Sequence, residues 1–248
     1  MLKVFWDKDN IAFISDRINA APHSHCVIQA FIGLTSQLCV TVGNERVVGK
    51  CIVVNKNAPH EFSCDGALCL SVLIQPSSQF AKELSAKIGG DYAVFDDEIE
   101  PLRRAAAALT ETVDKFRYLS FIAEFAAFLG VRRSVSETDA RIAELLTILR
   151  HCDCYDHTIK SFAKKLSLSP DRLSHLFREQ AGVPLKSYIL YHMLEKAFYA
   201  LLDGKSVTDA AMSAGFDSPS HFAATVKKQM GMTATALIKD SEFLKVFS

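Results

Sequence analysis

The chain has 248 residues, 28 of them basic and 28 acidic, with 49% hydrophobic and 23% charged side chains. That length suggests about two domains, and the composition excludes a disordered or collagen-like chain. A net charge of zero excludes a protein that holds polyanions by bulk attraction, though not one with a local basic surface.

Residues 1–96 read as strands. Val27–Phe31, Gln37–Val42, Val47–Val54 and Leu68–Ile74 are short runs rich in Val, Ile, Leu, Cys and Phe. Turn residues such as Gly43-Asn44 and Asn55-Lys56-Asn57 separate them, and with no helix expected between them the spacing predicts a sandwich or small barrel. From residue 97 to 135 the period becomes helical, with Leu102, Ala105, Ala106 and Leu109, then Val113, Phe116 and Leu119, at steps of three and four. This apolar face either packs on the barrel or makes a dimer. Gly130 punctuates the segment, and Arg132-Arg133-Ser134 reads as a linker. From 136 to 248 the chain reads as helical nearly to its end, opening on a capping-box-like Ser136 and Asp139 before Ile142, Leu145, Leu146 and Leu149.

The seven cysteines (Cys26, Cys39, Cys51, Cys64, Cys69, Cys152 and Cys154) form no CxxC pair. Neither a zinc ribbon nor a thioredoxin-like site is signalled, and free, mostly buried thiols in a reducing cytoplasm are expected. Lys3, Asp7, Lys8 and Asp9 near the start do not make a secretory signal. The apolar run Phe121–Val131 is broken by Glu124 and is too short to span a membrane.

The sharpest feature is a near-repeat at a spacing of 49 residues: Ser169-Pro170 through Gly182, and Ser218-Pro219 through Gly231. Each opens with a Ser N-cap and a Pro at the first helical position, where its missing N–H costs nothing. Each ends on a Gly suited to a left-handed C-cap. A short helix precedes each across a tight turn. Thr158 caps the first, which contains Phe162, Ala163 and Leu166; Ser206 with Asp209 caps the second, which contains Ala210, Ala211 and Ala214 and turns at Gly215-Phe216. Ala163 and Ala211 are small enough for the close crossing of a helix-turn-helix. Between the two units, Pro184 to Leu202 reads as one long helix.

Residues 143–243 resemble the DNA-binding domain of the AraC/XylS family of bacterial transcription regulators. The resemblance rests on Leu166-Ser167-Leu168-Ser169-Pro170, Leu173 through Phe177, Ala181-Gly182 with Pro184, and Ala214-Gly215-Phe216 with Ser218 and His221-Phe222. It implies that the second helix of each unit reads DNA. Asp171, Ser174 and His175 then face bases, flanked by Arg172 and Arg178 on phosphates. In the second unit Ser220, His221, Ala223 and Ala224 face the groove, with Lys227 and Lys228 nearby. His192 and His157 are expected to be structural or exposed. Met193 and Ala224 stand where the family often has arginine, Ala234 replaces its usual proline and Leu237 an aromatic. Alanine offers only a methyl contact, so the first unit should carry more base specificity than the second.

Near the start, Pro22-His23-Ser24-His25 leads into a strand with Gln29 four residues on, and Asn57-Ala58-Pro59-His60-Glu61-Phe62 follows a later strand. This resembles the His-x-His, Glu/Gln and later His of a cupin, and strand alternation puts His23, His25 and Gln29 on one face. Three readings stay open. His23, His25, Gln29, His60 and Phe62 line a small-ligand site without metal; or His23, His25 and His60 bind a divalent metal as a sensor; or they are structural. Gln29 in place of a carboxylate weakens the metal reading. No other cofactor is expected.

The whole chain thus reads as an α+β protein of three parts: a cupin-like β-barrel that senses a small ligand (1–96), a helical linker or dimerisation segment (97–135), and an all-α domain with two helix-turn-helix units joined by a long helix (136–248). The resemblance implies a cytoplasmic, one-component regulator, not an enzyme. Its expected partners are double-stranded promoter DNA, a small-molecule effector, a second copy of the chain and RNA polymerase, with no membrane. The contrasting reading is a cupin-type metal-dependent enzyme or metal sensor fused to a DNA-binding domain.

Overall fold

The computed structural model describes residues 2–64, 66–131, 139–151, 158–238 and 241–246. The Arg132–Ser134 linker, the Ser136 cap, Cys152, Cys154 and His157 lie outside the described residues. The chain divides into two units, Met1–Ser134 with Lys228–Ser248, and Val135–Lys227.

The first unit begins with nine strands: β1 (Leu2–Trp6), β2 (Asn10–Ser15), β3 (Asn19–His23), β4 (Ile28–Gly33), β5 (Leu38–Val42), β6 (Glu45–Gly49), β7 (Cys51–Val54), β8 (His60–Ser63) and β9 (Cys69–Ile74). Helix α1 (Gln79–Ile88), strand β10 (Tyr92–Val94), and helices α2 (Glu100–Ala108) and α3 (Lys115–Phe128) follow. Helix α1 was not expected among the strands. Its own signals are local: the Ser78 hydroxyl accepts from the Ala81 N–H at 3.1 Å, Phe80, Ala81, Leu84 and Ile88 form its buried face, and Gly89 closes it at φ 68°.

The strands form two sheets, ordered β10-β7-β4-β9-β2-β1-β11 and β3-β8-β5-β6, where β11 is Ser241–Lys245 near the end of the chain. Strands β4, β7 and β9 are buried along their whole length, because the larger sheet is covered on both faces. Period-two alternation sorts their side chains. Ile28, Ala30 and Ile32, with Cys51 and Val53, join the core made with α1, α2 and α3. Phe31, Ile52 and Val54 instead join Val40, Val42, Val47 and Phe62 in a second core shared with the smaller sheet.

The described part of the 97–135 segment, residues 97–131, packs into the first unit. Leu102, Ala106 and Leu109 of the α2 region, and Tyr118, Phe121, Ile122 and Phe125 of α3, lie in the same core as the sheet residues Phe5, Ala12 and Val72. The Phe5 and Tyr118 rings stack at 5.0 Å. Of the two expectations for this apolar face, packing on the strands is the one realised, although Phe116 is 80% exposed.

The second unit holds α4 (Ala140–His151), α5 (Ile159–Lys165), α6 (Pro170–Ala181), α7 (Leu185–Leu202), α8 (Val207–Ser213) and most of α9 (Pro219–Met230). Residues 228–248 of the expected 136–248 domain are grouped with the first unit. After α9 come α10 (Ala234–Ile238) and β11, which pairs in parallel with β1 from Leu2↔Ser241 to Trp6↔Lys245. Lys3, itself buried, lies 3.4 Å from Glu242 in that pairing. Among the described residues Cys26, Cys39, Cys51, Cys64 and Cys69 are free thiols, and all but Cys39 are buried.

Phe121→Ala should remove a fully buried ring from the helix–sheet core and cost about 3–5 kcal/mol. Denaturant unfolding of the first unit measures this. A cost independent of protein concentration is expected; a concentration-dependent one would place the α3 face at a subunit contact instead.

Candidate nucleic-acid interface and buried histidine cluster

Both repeated segments fold as their caps demand. The Ser169 hydroxyl accepts from the Arg172 N–H at 3.2 Å, and the Ser218 hydroxyl from the His221 N–H at 3.1 Å. Gly182 and Gly231 follow the two helices at φ 68° and 66°. The partner helices are capped by Thr158 and Ser206, whose hydroxyls accept from Ser161 and Asp209. Helix α7 runs for 18 residues after Pro184, one fewer than expected because Pro184 is its N-cap.

Leu173, Leu176, Phe177 and Ala181 turn inward from α6. Asp171, Arg172, His175 and Arg178 are exposed on its other side. Ser174 departs from that face: it is half-buried and its hydroxyl donates to the Pro170 carbonyl at 2.8 Å. On α9, Phe222, Thr225 and Val226 are buried, while Ser220, His221, Ala223, Ala224, Lys227 and Lys228 are exposed. The His221 ring stands edge-on to Phe216 at 5.4 Å and its Nδ1 lies 3.1 Å from the Asp217 carboxylate. His221 is thus partly held in place, while His175 projects freely outward. His192 is structural, as expected: it is buried in α7, where its Nε2 donates to the Leu149 carbonyl.

The other residues singled out converge inside the first unit. His23 ends β3, His25 precedes β4, Gln29 lies in β4 and His60 opens β8. All four are buried, as is Phe62, which packs on Phe31 at 4.6 Å as part of the core between the sheets. The imidazole centroids are 4.3 to 5.5 Å apart, so the rings touch, and no organic molecule fits between them as they stand. One ligand atom from each ring lies within 4.8 Å of those of the other two.

The outer nitrogen of each ring is spoken for. His23, His25 and His60 direct Nδ1 at the carbonyls of Ala21, Val27 and Ala58, at 2.8, 3.1 and 2.9 Å. A carbonyl can only accept, so each Nδ1 carries the proton, which leaves Nε2 as an acceptor in the neutral ring. The Gln29 amide nitrogen donates to the Ser71 hydroxyl at 2.8 Å, and its oxygen lies 2.9 Å from His25 Nε2 and 3.1 Å from His60 Nε2. Ser71 lies 42 residues from Gln29 and carried no signal in the sequence.

Burial, before any other cause, keeps these rings neutral. It drives the His25 pKa down to about 4 and that of His60 to about 3, with repulsion between neighbouring rings adding to it, and it lowers His23 as well. The unfolded rings take up a proton near their ordinary pKa of about 6.5. Below that pH the unfolded chain binds more protons than the folded one, so stability is full above about pH 6.5 and is lost as pH falls. Each such ring contributes up to about 1.4 kcal/mol per pH unit across that window. In chelator-treated protein the urea midpoint of the first unit should fall between about pH 6.5 and about pH 4.5, and His60→Gln should flatten that fall. An unchanged profile in the variant would contradict a neutral, buried His60.

Residues 162–240 match the family model of a helix-turn-helix domain. No curated protein sequence matches the chain. Solved structures of ToxT from Vibrio cholerae share its fold. The protein from strain O395 is 16% identical at a TM-score of 0.59, over 94% of this chain and 100% of that one. Wild-type ToxT from strain SCE256, bound to an unsaturated fatty acid, is 14% identical at 0.59, over 94% and 95%. The twin units expected from the repeat are thus borne out: this chain carries a helix-turn-helix domain over residues 162–240, within an overall fold similar to that of ToxT.

Proposed function

We propose that the chain is a sequence-specific DNA-binding transcription regulator whose N-terminal two-sheet unit senses a small ligand. The observation that carries the reading is the pair of Ser-Pro-capped helices, α6 and α9, each with one buried apolar face and one exposed face of short polar and basic side chains. Between them lies α7, whose 18 residues span about 27 Å at roughly 1.5 Å per residue. Successive major-groove faces recur about every 34 Å, so a rigid spacer of this length suits two reading helices on one side of a duplex. A ligand-bound ToxT structure of similar fold supports a sensing role for this chain too.

The regulator works in the cytoplasm as a homodimer on promoter DNA, where it acts as an activator through RNA polymerase. No described helix is long and apolar enough to cross a membrane. Effector binding in the first unit shifts the population between DNA-binding states, which requires the effector to prefer one of them. No catalytic role is assigned to any residue.

His175 and Asp171 are the base readers of α6, and Arg172 and Arg178 hold phosphates. With duplexes selected from a random pool, His175→Ala should cost about 1–3 kcal/mol and relax preference at one position. Arg172→Ala and Arg178→Ala should each weaken all sequences alike and reduce the salt slope by about one. If Ser220→Ala with His221→Ala abolished sequence preference while His175→Ala left it intact, the roles of the two units would be reversed.

A further inference from the structure

Strand β8 ends in the smaller sheet and β9 begins in the larger one, so the chain turns a corner between Ser63 and Cys69. The corner is tight. The Ala67 N–H returns to the Cys64 carbonyl at 2.7 Å. Gly66 stands at φ 85° with open space where a Cβ would be, and is exposed. Cys64 and Cys69, at the two ends of the corner, are buried free thiols.

The two sulfur atoms share a hydrogen bond, in which the Cys69 thiol donates and Cys64 Sγ accepts. Cys64 Sγ also accepts from the Ile18 N–H at 2.9 Å, and the Gly66 N–H is directed at it from the turn. Backbone N–H groups that converge on one atom favour negative charge there. The Cys69 thiol first, and these N–H groups with it, hold the Cys64 pKa below the ordinary thiol range although burial opposes them. Cys69 is driven the other way, by giving its proton to that bond and by burial in β9 between Ser15 and Gly33. The pair is therefore unequal: one sulfur is built to become a thiolate, and its neighbour stays protonated in contact with it. A stabilised thiolate beside a second thiol is the arrangement that two-step thiol oxidation needs.

We propose that Cys64 and Cys69 form a dithiol site oxidised by hydrogen peroxide, with Cys64 the attacking sulfur and Cys69 the resolving one. The Cys64 thiolate attacks one peroxide oxygen, the O–O bond breaks, and Cys64 becomes a sulfenic acid. The departing hydroxide takes up the proton that the Cys64 thiol released and leaves as water. The Cys69 sulfur then attacks Cys64 Sγ: the S–O bond breaks, the S–S bond forms, and the second hydroxide leaves as water with the Cys69 proton. In sum, two thiols give up two electrons and two protons, and one peroxide becomes two waters. A dithiol reductant returns both thiols by exchange. Cys64 is only 3% exposed, which favours an oxidant as small as peroxide over a bulky disulfide. The disulfide clips the corner between the two sheets across four intervening residues. The site lies wholly within the first unit and does not depend on the regulator reading.

Reduced full-length protein, freed of reductant under nitrogen, is treated with hydrogen peroxide at neutral pH, then unfolded, alkylated and cut with trypsin. Lys56 and Lys82 bound a single fragment, residues 57–82, that holds both sulfurs and no other cysteine. That fragment should lose two hydrogens and both alkyl labels about tenfold faster than Cys26 or Cys51 loses its label, and dithiothreitol should restore it. Cys69→Ala should stop at the Cys64 sulfenic acid, trapped with dimedone, and Cys64→Ser should leave Cys69 open to alkylation, with circular dichroism confirming that each variant folds. The rate of Cys64 alkylation by iodoacetamide should inflect below the ordinary thiol value of about 8.5, and the inflection should rise in Cys69→Ala. A wild-type fragment 57–82 that keeps both labels, or loses them no faster than Cys26 and Cys51, overturns the site without recourse to any variant. Dimedone found on Cys69, or oxidation of Cys69 in Cys64→Ser at the wild-type rate, overturns the assignment of the attacking sulfur. Wild-type protein that accumulates Cys64 sulfenic or sulfinic acid without the disulfide overturns the resolving role of Cys69.

Discussion

Strand β4 is buried on both faces, and its two-residue alternation decides what the rest of the first unit must do. Ile28, Ala30 and Ile32 face the helices while Phe31 faces the smaller sheet. Gln29 shares the Phe31 side by register, which places an amide in the interior. Burying an amide without partners costs several kcal/mol, so the surroundings must answer it. Ser71 engages one end of the amide, and the Nε2 atoms of His25 and His60 lie 2.9 and 3.1 Å from the other. Those imidazoles are in turn fixed by backbone carbonyls two residues away, a local bond that any approach of the rings would preserve. The polar cluster is thus a consequence of a core strand that carries one glutamine.

What could be read in the chain beforehand follows from how local each determinant is. The Ser-Pro caps, the C-cap glycines and the apolar faces of α6 and α9 are decided within a dozen residues, and the helix-turn-helix pair was legible for that reason. His23, His25, Gln29 and His60 were legible as a group because alternation and spacing already put them on one side. Strand β11 was not, since its partner β1 lies some 240 residues away in the chain. Nor was Ser71, which meets Gln29 only through the pairing of β4 with β9. Helix α1 carried ordinary capping and periodicity, but short strands on either side hid it.

The neutral total charge conceals an asymmetry between α6 and α9. Helix α6 exposes Arg172 and Arg178 but also Asp171 and Glu179, so its charges cancel. Helix α9 exposes Lys227 and Lys228 and contains no acidic residue. Cations in a last turn are also favoured by the negative end of the helix dipole. Under the proposed reading, the side chains able to read base edges by hydrogen bonds are then strongest on α6, whereas α9 offers alanine methyls and lysines, which would hold phosphate without regard to sequence.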